Sequence, residues 1–123
     1  MIDTPNDSAQ MAAEIPTGHA QFRCDVSFVD EHAVVSVAGE LDLATAPELL
    51  REVQGTLALP LDAVAVNLGE VTFMDSSGIH ALLVAKSSAE ERGIEFQLVS
   101  VSRPGKYVIE IAGLTTHFGI DPA

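Results

Sequence analysis

The sequence predicts an α/β domain in which a mixed, mostly parallel β-sheet packs against α-helices and the chain opens with a β-hairpin. Three observations lead there. Two apolar stretches, 22–29 and 33–38, stand only a short polar turn apart, as the strands of a hairpin do. A mostly apolar run at 63–68 lies between two segments with helical apolar stripes. A further strand and helix follow, and strand-helix-strand crossovers place parallel neighbours in one sheet.

The first strand is read from Phe22, Cys24, Val26 and Phe28, which alternate with Arg23, Asp25 and Ser27 in the two-residue period of a half-buried strand. Asp30-Glu31-His32 is a polar turn, and the Val-rich segment Ala33 to Ala38 is a second strand stopped by Gly39. Gly39-Glu40-Leu41-Asp42-Leu43 is expected as a loop. Thr45-Ala46-Pro47-Glu48 then carries a helix-start signature, with Thr as cap, Pro in the first turn and Glu at the third position. Leu49, Leu50, Val53 and Leu57 fall on one face of that helix.

Ala63 to Leu68 reads as a central strand covered on both faces. The second helix begins at Ser76 to Gly78, carries Ile79, Leu82, Leu83 and the stem of Lys86 on one stripe, and ends at Gly93. Ile94 to Val99 is another strand. Ser102-Arg103-Pro104 opens a third helix with Val108, Ile111 and Ala112 inward and Gly113 at its end, and Phe118-Gly119-Ile120 is a short final strand. Residues 1–20 mix Asp, Asn, Ser, Thr, Pro and Ala without a period, so they are expected to form an acidic flexible leader to a single domain over 21–123.

The net charge of −12 is unevenly placed, since the first 70 residues hold twelve acidic and two basic side chains. Such a field repels nucleic acid and anionic lipid, which are bound by clustered Lys and Arg, and either suits a basic protein partner or only keeps a small protein soluble. A single cysteine, Cys24, excludes an internal disulfide and suits a reducing compartment, so the cytoplasm is expected. No signal peptide and no run of eighteen apolar residues occurs, which argues against direct membrane insertion. The histidines His19, His32, His80 and His117 lack ligand spacing, and no Gly-rich phosphate loop is present. Neither a metal nor a cofactor is expected.

The most informative segment is Phe73-Met74-Asp75-Ser76-Ser77-Gly78-Ile79, which joins the end of an apolar strand to the start of a helix through two hydroxyls. A serine there can accept a phosphoryl group, and unpaired N–H groups at the helix start would receive the anion. Helix capping is the simpler role for such a serine. Functional crevices of open α/β sheets lie beyond the carboxyl ends of the strands, where both Gly39–Asp42 and Asp75–Gly78 fall. Asp42 and Asp75 would then stand near Ser76 and Ser77, either as acceptors and phosphate-metal ligands or as ordinary turn and cap residues. Gly78 either lets a partner approach closely or relieves crowding of helix against sheet. A serine hydrolase is disfavoured, because Met74 replaces the first glycine of the nucleophile elbow and the helix turns His80 away from the loop.

Gly39-Glu40-Leu41-Asp42, Val66-Asn67-Leu68, Phe73-Met74-Asp75-Ser76-Ser77-Gly78 and Ala112-Gly113-Leu114 together resemble the STAS domain of bacterial anti-sigma factor antagonists. The resemblance runs over about residues 22 to 121 and implies a STAS-like fold. It further implies a regulator, not an enzyme, that binds an anti-sigma factor with serine kinase activity when unphosphorylated, and so frees a sigma factor. Ser76 matches the phosphorylated position, with Ser77 as the alternative acceptor, and Asp42 matches an acidic loop residue beside it. Asp42, Asp75, Ser76, Ser77 and Gly78 would meet the partner, and a serine phosphatase would reset the switch. The alternative within the same fold is a STAS scaffold or cytoplasmic subunit of a stress-signalling or transport assembly.

Overall fold

The computed structural model describes residues 21–120. Its elements in chain order are β1 (Arg23–Val29), β2 (His32–Leu41), α1 (Ala46–Thr56), β3 (Ala63–Met74), α2 (Ser76–Glu91), β4 (Glu95–Val99) and α3 (Arg103–Ile111). The sheet order is β1-β2-β3-β4, with β1 antiparallel to β2 and the other two pairs parallel. The expected hairpin, mixed sheet and crossovers are therefore present. The leader at 1–20 and residues 121–123 lie outside the described residues.

The core is one cluster on one face of the sheet. Alternate residues of β2 and β3, among them Val35, Val37, Val64, Val66 and Leu68, point into it and meet Leu49 and Val53 of α1, Leu82 and Ala85 of α2, and Ile109 of α3. Each such side chain removed from water contributes about 1.5–3 kcal/mol. On the other face Ser36, Ala65 and Asn67 are only half-buried among the described residues. The expectation that β3 is covered on both faces is corrected accordingly, since its apolar run reflects alternation of large Val with small Ala.

Gly39 does not stop β2. The strand runs on to Leu41, with register shifts against β3 on either side of Gly39, whose φ is +95°. That left-handed conformation suits a bulge residue without a side chain, and a Cβ there would lie 2.7 Å from the Gln21 carbonyl oxygen. β3 likewise continues beyond Leu68 to Met74, so both strands reach the same end of the sheet.

The third helix has a different phase from the expected one. Ser102 accepts a hydrogen bond from Gly105 N–H and fixes the start, so that Gly105 and Ile109 are buried and Val108 half-buried. Ile111, about 200° further round, is 68% exposed, and Ala112 is exposed as well. Phe118-Gly119-Ile120 forms turns and no strand: Phe118 N–H donates to Leu114 O, Ile120 N–H to Thr115 O, and Gly119 takes a φ of +68°. Phe118 instead buries its ring against Phe96, with centroids 6.5 Å apart.

Candidate functional site

The ends of β2 and β3 carry the candidate residues because the two strands pair to their last positions, Leu41 opposite Met74. The Asp75 N–H then donates to Leu41 O at 3.3 Å, which makes the two following loops neighbours.

The first loop is organised by Asp42. Its Oδ1 accepts from Ala44 N–H at 3.0 Å and Thr45 N–H at 3.2 Å, while its carbonyl accepts from Ala46 N–H at 2.8 Å. Thr45 was expected to cap α1 by its hydroxyl, but that group donates to Glu40 O at 2.7 Å and accepts from Asp42 N–H at 2.9 Å. The hydroxyl is drawn backward because the turn places the Glu40 carbonyl and the Asp42 amide within its reach.

The second loop is organised by Asp75. It is the N-cap of α2, with extended backbone, and its Oδ1 accepts from Ser77 N–H at 2.8 Å. Its carbonyl accepts from the N–H groups of Gly78 and Ile79. Both aspartates thus serve as turn and cap residues. Of the donors expected to receive an anion, Asp75 already occupies the N–H groups of Ser77, Gly78 and Ile79, and that of Ser76 is left open among the described residues.

Ser76 is the first residue of α2 and is exposed, and its hydroxyl has no hydrogen-bond partner among the described residues. Ser77 is half-buried. Gly78 is buried, and a Cβ on it would lie 2.8 Å from Met74 Cγ and 2.9 Å from Leu41 Cγ. Of the two roles open to Gly78, relief of crowding between helix and sheet is therefore met within the chain itself. The close approach of α2 to both strand ends is what seats Asp75 and Ser76 where they are.

An apolar groove beside the serines was not foreseen. About 300 Å³ in volume, it lies between the start of α1 and the start of α2, where Leu43, Pro47, Leu50 and Ala81 form its walls and Ser77 and His80 its rim. His80 is therefore not turned away from the loop; it shares this groove with Leu43. The signal in the sequence was Leu43, an aliphatic residue amid acidic and small neighbours, which is 77% exposed. Exposed Phe73 adds apolar surface at the same end.

The remaining candidates lie elsewhere. His32 begins β2 at the hairpin end, and His117 rests edge-on against Phe118. Among the described residues no three His, Cys, Asp or Glu side chains converge as a metal site would require. The Cys24 thiol is pushed up to about 12, first by burial and then by Glu52, Glu48 and Asp25, so it stays protonated and unreactive at neutral pH.

The family model described as the STAS domain matches residues 23–123. An anti-sigma-B factor antagonist of Listeria monocytogenes is 31% identical over 85 residues, which are 69% of this chain and 75% of that protein. The crystal structure of an anti-sigma factor antagonist from Mycobacterium paratuberculosis superposes with a TM-score of 0.73 at 27% identity, covering 84% of this chain and 87% of that one. The murine Solute Carrier 26 family member A9 anion transporter shares the fold at 19% identity, with a TM-score of 0.63 over 73% of this chain and 15% of its own. No helix among the described residues is long and apolar enough to cross a membrane.

Proposed function

The chain belongs to the STAS domain family and, within it, to the anti-sigma factor antagonists, and from that premise we propose that it is a partner switch operated by phosphorylation of Ser76. In its unphosphorylated form it binds an anti-sigma factor that is also a serine kinase, and a sigma factor is released. The kinase chemistry belongs to the partner, and a serine phosphatase restores the binding form.

The observation that carries this reading is the contrast between the two hydroxyls. Ser76 is exposed and unengaged, whereas Ser77 is half-buried at the edge of the groove. A kinase reaches the first without unfolding the helix start. Phosphorylation adds about −1.5 to −2 charge. Because that charge falls beside Asp75, on a surface flanked by Leu43 and Phe73, it introduces bulk, desolvation and like-charge repulsion into any contact made there. The fold tolerates the group, since the Ser76 side chain is exposed and makes no hydrogen bond among the described residues.

The test is mass spectrometry with residue-level mapping after incubation with ATP, Mg²⁺ and each anti-sigma kinase of the same cell. Phosphate on Ser76 is expected. Phosphate confined to Ser77 would move the acceptor, and no phosphate with any active kinase would favour a scaffold or transport-assembly role.

A further inference from the structure

Ser76 and His80 are four residues apart on α2 and both are exposed. Residues so spaced have Cβ atoms about 5–6 Å apart, and the later side chain leans toward the helix N-terminus. The imidazole of His80 therefore leans toward the first turn from the rim of the groove.

The backbone offers a phosphate on Ser76 only that residue's own N–H, because Asp75 occupies the N–H groups of Ser77, Gly78 and Ile79 and adds a negative charge of its own. Among the described cations, Lys86 further along α2 is paired with Glu90, Arg23 lies against Asp25 and Glu70, and Arg92 donates to Leu57 O. Lining the groove with His80 are Ser77 and Ala81 of its own helix, Leu43 of the loop, and Ala46, Pro47 and Leu50 of the α1 segment, none of them charged. Glu48 and Glu52 of α1 act on the Cys24 thiol, and the carboxylates of Asp42 and Asp75 are held by their own loops.

We propose that His80 is the counter-ion of a phosphate on Ser76, its imidazolium donating an N–H to a phosphate oxygen across one turn of α2. The inference rests on Ser76 as the modified residue. Imidazole and phosphate both change charge between about pH 5 and 8, so the charge that modification adds to this surface depends on pH. With His80 protonated, roughly one negative charge is added net of the pair. Once the imidazole has lost its proton the full dianion stands unbalanced, and the block on partner binding deepens.

The experiment is a ³¹P NMR titration of the full chain with phosphoserine installed at position 76 during translation, which needs no kinase. The parent is compared with His80→Gln and His80→Arg. The phosphate midpoint is expected about 0.3 pH unit higher in His80→Gln than in the parent, the size for an exposed ion pair one helical turn apart. It should return to the lower value in His80→Arg, whose charge is permanent. Superimposable phosphate curves for all three proteins overturn the proposal. A chain that no kinase phosphorylates would instead overturn the switch at Ser76 and leave these curves unchanged.

Discussion

Two glycine-to-alanine substitutions should change stability in opposite directions. In α1, a Cβ at Gly55 would have no atom within 4 Å beyond its own neighbours. Gly55→Ala should therefore gain the helix-propensity difference, about 0.5–1 kcal/mol. In α2, the same change at Gly78 gains that term but drives a methyl to 2.8 Å from Met74 Cγ and 2.9 Å from Leu41 Cγ. Both neighbours are buried, Leu41 completely, so relief requires movement of a strand end or of the helix start. Overpacking of this kind costs about 1–3 kcal/mol, which exceeds the propensity gain and leaves Gly78→Ala less stable by about 0.5–2 kcal/mol. Urea denaturation of both variants beside the parent would show the midpoint rising for one and falling for the other at unchanged slope. By Tm, each kcal/mol corresponds to about 4–8 °C for a domain of this size. A Gly78→Ala chain as stable as Gly55→Ala would refute the argument that helix and sheet meet too closely there for a side chain.

Ser76→Asp should keep the parent's Tm within a few degrees yet bind the anti-sigma factor more weakly in calorimetry, and Ser76→Ala should bind while accepting no phosphate. Equal affinity of Ser76→Asp and parent would place this surface outside the interface. Asp75→Ala removes the cap on Ser77 N–H and should cost about 1 kcal/mol in denaturant unfolding, with Asp75→Asn recovering most of it. The Cys24 thiol titrates near 12 in the folded chain against an ordinary value of 9.0, so the folded state holds the extra proton across that interval. Its contribution is complete below about pH 9 and is lost as pH rises toward 12, and Cys24→Val should flatten the alkaline arm of a Tm-pH curve; an unchanged arm would assign the loss to other groups.

The hairpin and the crossovers were legible because they depend on period alone. Phe22 to Phe28 alternates and Ala63 to Leu68 is apolar but for Asn67, patterns that mark an outer and an inner strand of one sheet. Gly39 was misread as a stop because a glycine ending a strand and one sitting in a bulge have the same local sequence. What separates them is the Gln21 carbonyl packed against it from the neighbouring chain segment. The phase of α3 was misjudged for a similar reason: choosing Ile109 over Ile111 requires the capping hydroxyl of Ser102 to set the first turn. At the site, the serines and both aspartates were evident from the residues, but the partners of those aspartates were not. Which N–H a carboxylate takes depends on loop geometry, and so the occupied helix start and the placement of His80 became visible only in three dimensions.

The hydrogen bond from Asp75 to Leu41 makes the residue before Ser76 the last rung of the parallel ladder as well as the cap of α2. Ser76 therefore follows directly on a residue tied to both the sheet and the helix. In the proposed switch, a phosphate written at such a point would need no moving part, changing what the surface repels and not its shape, and the switching time would be that of the enzymes that add and remove the group.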